Sequence, residues 1–286
     1  MDKFTVNKLP KSEIEILFSV PWSEIKESYG KIVKETAKKT QVKGFRKGKA
    51  PDKLVEENLD KTKVYSEVIQ NLLPSYYEEA VKNNNLKPIS SPKISLTSAS
   101  EGKDWEIKVV LAEKPNFSLD NYREQIKSLF KGGEIWTPGK QKTEPAKDPK
   151  ILKDEKIQKI VEWLLKNIKI ELSDLLLTDE INRRLAGLID QTAKLGMTVE
   201  QYLSSVGKTS EQIREEYRQQ VEEMWKLEFI LNEIAEKENV VVEDKNIDEF
   251  IQKSQDEQQR KELESQRYVL ASIIRRQKTL DFLASL

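Results

Sequence analysis

Neither cysteine nor histidine occurs among the 286 residues of this chain, and aromatic residues make up only 7% of it. Without thiols there is no disulfide framework and no thiol chemistry, so the redox compartment leaves no trace in the sequence. Without imidazole the usual zinc sites are excluded, together with the side chain most used as a general acid or base near neutral pH. Catalysis would have to rest on carboxylates, hydroxyls or lysine. None of these forms a motif of recognisable spacing, so no catalytic, cofactor-binding or metal-binding residue is assigned. No eighteen apolar residues run together, and the opening Met1-Asp2-Lys3-Phe4-Thr5-Val6 lacks a basic region followed by an apolar one. A soluble, cytoplasmic protein without membrane contact is the expectation.

Charge is what the chain has in quantity. Charged residues make up 34% of it and apolar ones 37%, enough for a core but with much surface per unit of core, as long helices standing away from a globule would give. The net charge is zero but unevenly spread. Basic residues outnumber acidic ones 20 to 17 through Glu113 and 8 to 5 from Lys114 to Lys150, and the balance reverses to 21 against 27 thereafter. A basic front suited to a polyanion and an acidic rear with other work are implied.

Period and punctuation give the elements. Ile14, Ile16, Phe18 and Val20 alternate with Glu13, Glu15, Leu17 and Ser19, the mark of a half-buried strand. Pro21 then opens a helix whose apolar face is Trp22, Ile25, Tyr29, Ile32 and Val33. Helices are predicted at Pro51–Asn58 and Lys61–Asn84, and a hairpin from strands Lys93–Thr97 and Trp105–Leu111. From Pro115 to Lys150 the composition is that of a linker, with a helical turn around Tyr122–Phe130. Phe117, Tyr122, Phe130 and Trp136 in it are read as packing residues. Beyond Ile151 everything reads as helix. Gly196 stops one helix, Thr198 with Gln201 and Thr209 with Gln212 have capping-box spacing, and a long helix covers about Ser210–Lys237. A break at Glu238-Asn239 precedes a helix near Asp244, and the last helix ends at Leu286.

Between α-helical stretches near the front lies the segment Val42–Pro51, V-K-G-F-R-K-G-K-A-P. Lys38, Lys39, Lys43, Arg46, Lys47 and Lys49 fall in a stretch with no acidic residue, so the local potential is strongly positive. Gly44 and Gly48 give the backbone freedom and Pro51 stiffens the exit. Phe45 can fill an apolar cleft or stack on a base while Arg46 and Lys47 engage phosphates or carboxylates; a solvated charge run is the other reading. A phosphate-binding P-loop is excluded, because three residues rather than four separate the glycines and Ala50 follows Lys49 where Ser or Thr is needed.

Gly44-Phe45-Arg46-Lys47-Gly48-Lys49-Ala50-Pro51 resembles the G-F-R-x-G-x-x-P signature of the bacterial trigger factor family of chaperones. The rear half is also similar, in Glu180-Ile181, in Gly196-Met197-Thr198 ahead of Glu200-Gln201-Tyr202-Leu203, and in Gly207-Lys208-Thr209 before the long helix. The resemblance implies that Phe45, Arg46 and Lys47, with Gly44, Gly48, Lys49 and Pro51, dock on the large ribosomal subunit, on protein and RNA beside the exit tunnel. It implies an α+β N-terminal domain of strand, helices and β-hairpin, followed by an all-α, elongated C-terminal domain with helical arms that cradle unfolded and nascent polypeptides. The corresponding division is 1–113 for ribosome binding, 114–150 as a linker, and 151–286 as the helical substrate cradle. The linker stands where the family carries an FKBP-type prolyl-isomerase domain, and fewer than about fifty residues rarely sustain a folded core. No enzyme activity and no cofactor are therefore expected. Trp225, Phe229, Leu283 and Leu286 are the candidate cradle-lining residues, although such helix-stripe positions read equally as core. The family reading admits a homodimer off the ribosome. An RNA-binding protein using the basic loop alone, or retained isomerase activity, are the other readings.

Overall fold

The computed structural model describes residues 3–39, 45, 51, 54, 56–57, 59–131, 148–254 and 256–286. The chain forms two compact units, Met1–Lys114 with Ser173–Leu176, and Pro115–Leu172 with Leu177–Leu286.

The first unit contains β1 (Phe4–Lys8), β2 (Glu13–Val20), α1 (Trp22–Lys39), α2 (Lys61–Asn83), β3 (Lys93–Ser98) and β4 (Trp105–Ala112). The strands form one antiparallel sheet in the order β1-β2-β4-β3. Register follows from the alternation of β2. Ile14, Ile16, Phe18 and Val20 stand opposite Leu111, Val109, Ile107 and Trp105, and all eight are buried. A slip by one residue would turn that whole row to solvent, at about 1.5–3 kcal/mol for each large side chain. The two helices join the same core through Ile25, Ile32, Val33, Val64, Val68, Leu73, Tyr76 and Ala80. The backbone N–H of Trp22 donates to Asp104 Oδ1 at 2.9 Å, which fixes the start of α1 against the β3–β4 turn.

β1 is absent from the sequence reading, for two physical reasons. It is five residues long with only Phe4 and Val6 as apolar members, and the turn that pairs it with β2 lacks the usual residues. Lys11 and Ser12 both sit at positive φ, 59° and 57°, where a hairpin turn ordinarily has Asn or Gly. The Pro51–Asn58 helix lies largely outside the described residues.

The regular elements of the second unit are all helices among its described residues. It comprises α3 (Tyr122–Lys131), α4 (Pro149–Asn167), α5 (Asp174–Lys194), α6 (Val199–Ser205), α7 (Ser210–Lys237), α8 (Asp244–Gln252), α9 (Glu257–Ser265) and α10 (Arg267–Ser285), the first turn of α5 belonging to the first unit. α4, α7 and α10 pack together, and Ile160, Leu164, Val221, Ile230, Ile234 and Leu283 on them are fully buried. Smaller clusters join α5, α6 and α7 through Leu188, Leu203 and Ile213, and α8 with α10 through Ile247, Ile251 and Leu270.

The predicted boundaries of this half have a local cause. Gly196 at φ 71° lets the chain leave α5 in a conformation that side chains resist. Thr198 and Thr209 then each accept from the backbone N–H three residues on, while Gln201 and Gln212 accept from the threonine N–H, forming two complete capping boxes. Asn239 at φ 52° ends α7.

Where a linker with one helical turn was expected, α3 is a ten-residue helix with Tyr122 and Ile126 buried. Its start is tied to the end of α7. The Tyr122 hydroxyl and the Arg123 guanidinium both donate to the Glu238 carboxylate, Arg123 Nε at 2.8 Å, and the guanidinium lies 5.4 Å from the Phe282 ring centroid. Burial pushes the Glu238 carboxyl up, but the donated hydrogen bonds from Arg123 and Tyr122 outweigh it and hold the group below its ordinary range. The same burial, with the carboxylate beside it, pushes Tyr122 up to about 12. Phe130, half-buried, has the Lys156 ammonium 4.9 Å from its ring centroid, and Phe117 is half-buried as well; Trp136 lies outside the described residues. Among the described residues, no helix is long and apolar enough to cross a membrane.

Candidate functional site

In sequence, the basic segment lies between two well-anchored helices. α1 enters it after burying Ile25, Ile32, Val33 and Ala37, and α2 follows it with Val64 and Val68 buried. Tyr29 of α1 and Tyr65 of α2 meet with ring centroids 5.1 Å apart, and Asp60 caps α2 by accepting from the Thr62 N–H at 3.0 Å. Sequence thus sets α1 and α2 on either side of the segment by ordinary amphipathic packing. Phe45 is 39% exposed, and Pro51 is exposed, its carbonyl accepting from the Leu54 N–H at 3.0 Å. Leu54 is 37% exposed. Gly44, Arg46, Lys47, Gly48 and Lys49 lie outside the described residues.

The second unit buries two of the four cradle candidates. Phe229 and Leu283 are buried, at 7% and 0% exposure, because α7 and α10 turn those positions toward each other and toward α4 rather than to solvent. Trp225 is half-buried and stacks on Phe229, with centroids 5.7 Å apart and planes 24° apart. Its indole N–H is buried without a hydrogen-bond partner. Leu286 is half-buried at the end of α10. Sequence reasoning missed a different set. Tyr268, Val269 and Ile273 on α10 are 90%, 49% and 46% exposed, and Phe250 on α8 is 39% exposed. Val269 and Ile273 stand four apart on one helix row, whereas Leu270 at the next position is buried in the α8 contact. Two adjacent large apolar residues beside a core position, Tyr268-Val269 ahead of Leu270, were the available signal: a narrow stripe cannot bury all three. Among the described residues no cluster of carboxylates is placed to hold a metal ion.

The chain matches two family models in order. Residues 2–129 match the bacterial trigger factor protein, and residues 140–285 match the bacterial trigger factor protein C-terminus. The chain belongs to the trigger factor family. Curated relatives include the trigger factor of Nocardia farcinica, 32% identical over 120 residues covering 42% of this chain and 26% of that protein. That of Lactiplantibacillus plantarum is 34% identical over 110 residues, 38% of this chain and 25% of that protein. The chain therefore spans about a quarter of the length of the curated relatives it matches. A solved structure reported under promiscuous substrate recognition in folding and assembly activities of the trigger factor chaperone superposes with a TM-score of 0.67. That match covers 98% of this chain and 99% of the other at 14% identity, and it establishes a shared fold: an α+β front followed by helices.

Proposed function

We propose that this member of the trigger factor family is a molecular chaperone that holds unfolded and emerging polypeptides, without nucleotide, and docks beside the nascent-chain exit of the large ribosomal subunit. The observation that carries the proposal is the complete G-F-R-x-G-x-x-P segment inside the N-terminal family match, with Phe45 exposed at its tip. In this reading Phe45 enters an apolar cleft on the ribosome, and Arg46 and Lys47 engage its phosphates and carboxylates. Residues 1–113 serve docking, and residues 151–286 serve substrate. The work is cytoplasmic.

Client contact is assigned to the exposed Tyr268, Val269, Ile273 and Phe250 rather than to Phe229 or Leu283. Burial of apolar surface is non-directional, so scattered patches of this kind suit many sequences, while surrounding charge keeps the complex in solution. The isomerase domain is read as missing, because the two family matches end at residue 129 and resume at residue 140, an interval too short for any folded domain.

One preparation tests both halves. Ribosome pelleting of the native chain is expected to recover bound protein, with the combined variant Phe45→Ala, Arg46→Ala, Lys47→Ala reduced about tenfold or more, as loss of a central aromatic and two cations implies. The same native chain should suppress light scattering from a chemically denatured client, and the loop variant should do so equally well. Pelleting that survives the substitution, falling only in salt sensitivity, would instead favour general RNA binding.

A further inference from the structure

A cavity of about 360 Å³ lies in the first unit between α1, α2 and the β3–β4 turn. Its wall is aromatic. Trp22 and Tyr29 line it from α1, two helical turns apart on one face, and Tyr65 lines it from α2. The rings brace one another through Trp105 behind them, with Tyr65 at 5.0 Å and Trp22 at 6.5 Å from its centroid. Its charged members are the carboxylates of Glu56 and Glu101 and the ammonium groups of Lys26 and Lys61. Neither carboxylate is in an ion pair with a described residue.

We propose that this cavity receives the cationic group of a basic side chain, best an arginine, carried by a bound polypeptide. Electron-rich ring faces attract a cation, a planar guanidinium can stack on indole or phenol, and its fork of N–H groups can meet a carboxylate at the rim. The Tyr29 hydroxyl is buried beside the Glu56 carboxylate. Burial, then Glu56, and more weakly Tyr65 and Glu101, push Tyr29 up to about 12. Burial, then Glu101 and Glu56, raise Tyr65 likewise.

A polypeptide, rather than a small free amine, is favoured by what adjoins the cavity. β3 is an edge strand, exposed along its length, with Ile94 and Leu96 50% and 45% exposed. It runs directly into the turn that carries Glu101 and Gly102. An extended chain added along that free edge would find main-chain partners and two apolar contacts, and would lead toward the carboxylate at the cavity rim. The cavity lining includes none of residues 44–51, and the proposal holds whether or not that loop docks.

Calorimetric titration of the full chain with acetyl-Val-Arg-Val-amide and with its citrulline counterpart, equal in shape but neutral, tests the assignment. The arginine peptide is expected to bind about tenfold more tightly, the size of a partly desolvated cation–π contact with a carboxylate nearby. The double variant Glu56→Gln, Glu101→Gln keeps side-chain shape on exposed and half-exposed positions and should lose most of that discrimination. Equal affinity for the two peptides, no binding of either, or full discrimination by the double variant would overturn the proposal. Methylguanidinium binding as tightly as the arginine peptide would overturn its assignment to a polypeptide. No ribosome and no denatured client enters the titration, so its outcome is independent of the docking and holding experiments.

Discussion

Glu238 closes α7 with its side chain only 10% exposed, and it is held by two donors that come from α3. Its carboxyl titrates below the ordinary glutamate value of 4.5. A group depressed in the folded state stabilises fully above its unfolded value, and that contribution drains away as pH falls through the lower folded one. Glu238→Gln is therefore expected to cost roughly 1–3 kcal/mol near neutrality, the range for hydrogen bonds to a charged group. The gap in melting temperature between parent and variant should narrow as pH falls below the ordinary glutamate value. A gap that does not change with pH would show that the carboxylate charge is not what holds α3. Sequence could not reveal this residue: Tyr122-Arg123 and Glu238 are more than a hundred positions apart, and nothing local distinguishes this glutamate from its neighbours. Trp225 and Phe229 were legible as aromatic and adjacent, but their burial depends on α4 and α10, which no single-helix pattern encodes.

Helix ends are where local chemistry decides, and there the reading from sequence and the structure coincide. Thr198 and Thr209 each satisfy a backbone N–H that would otherwise face only water, so Thr198→Ala and Thr209→Ala should each cost about 1 kcal/mol. Urea unfolding midpoints are the check; an unchanged midpoint for either would mean that tertiary packing alone fixes that helix start. The same locality explains why the approximate limits read for α7 and the approximate start of α8 agree with the structure. Strands are less generous. β2 announced itself through alternation over eight residues, and β3 and β4 through the hairpin read at Lys93–Thr97 and Trp105–Leu111, whereas β1 relies on a partner and on a turn built from Lys11 and Ser12. α3 was underestimated for a related reason: its Tyr122 and Ile126 are one helical turn apart, too short a pattern to be told from an isolated turn. In the basic loop, the residue types were legible and Phe45 is exposed, while its contribution to binding is a matter for the pelleting assay.

At the level of the whole molecule, the family matches place a front model directly against a rear one. Only residues 130–139 lie between the two matches, and the isomerase domain is proposed to be missing. The isomerisation rate of a proline tetrapeptide is accordingly expected to stay at its uncatalysed value in the presence of the chain, and a rate well above it would require a proline site elsewhere. The sheet adds a constraint on how such a molecule comes into being. Ile16 lies opposite Val109, and Phe18 opposite Ile107, so the inner row of β2 has no lasting cover until a segment some ninety positions later has been made. Synthesis proceeds from the amino end, and for most of the time needed to extend the first hundred residues this protein is itself a nascent chain with a bare apolar ribbon, in want of the shelter it is proposed to give others.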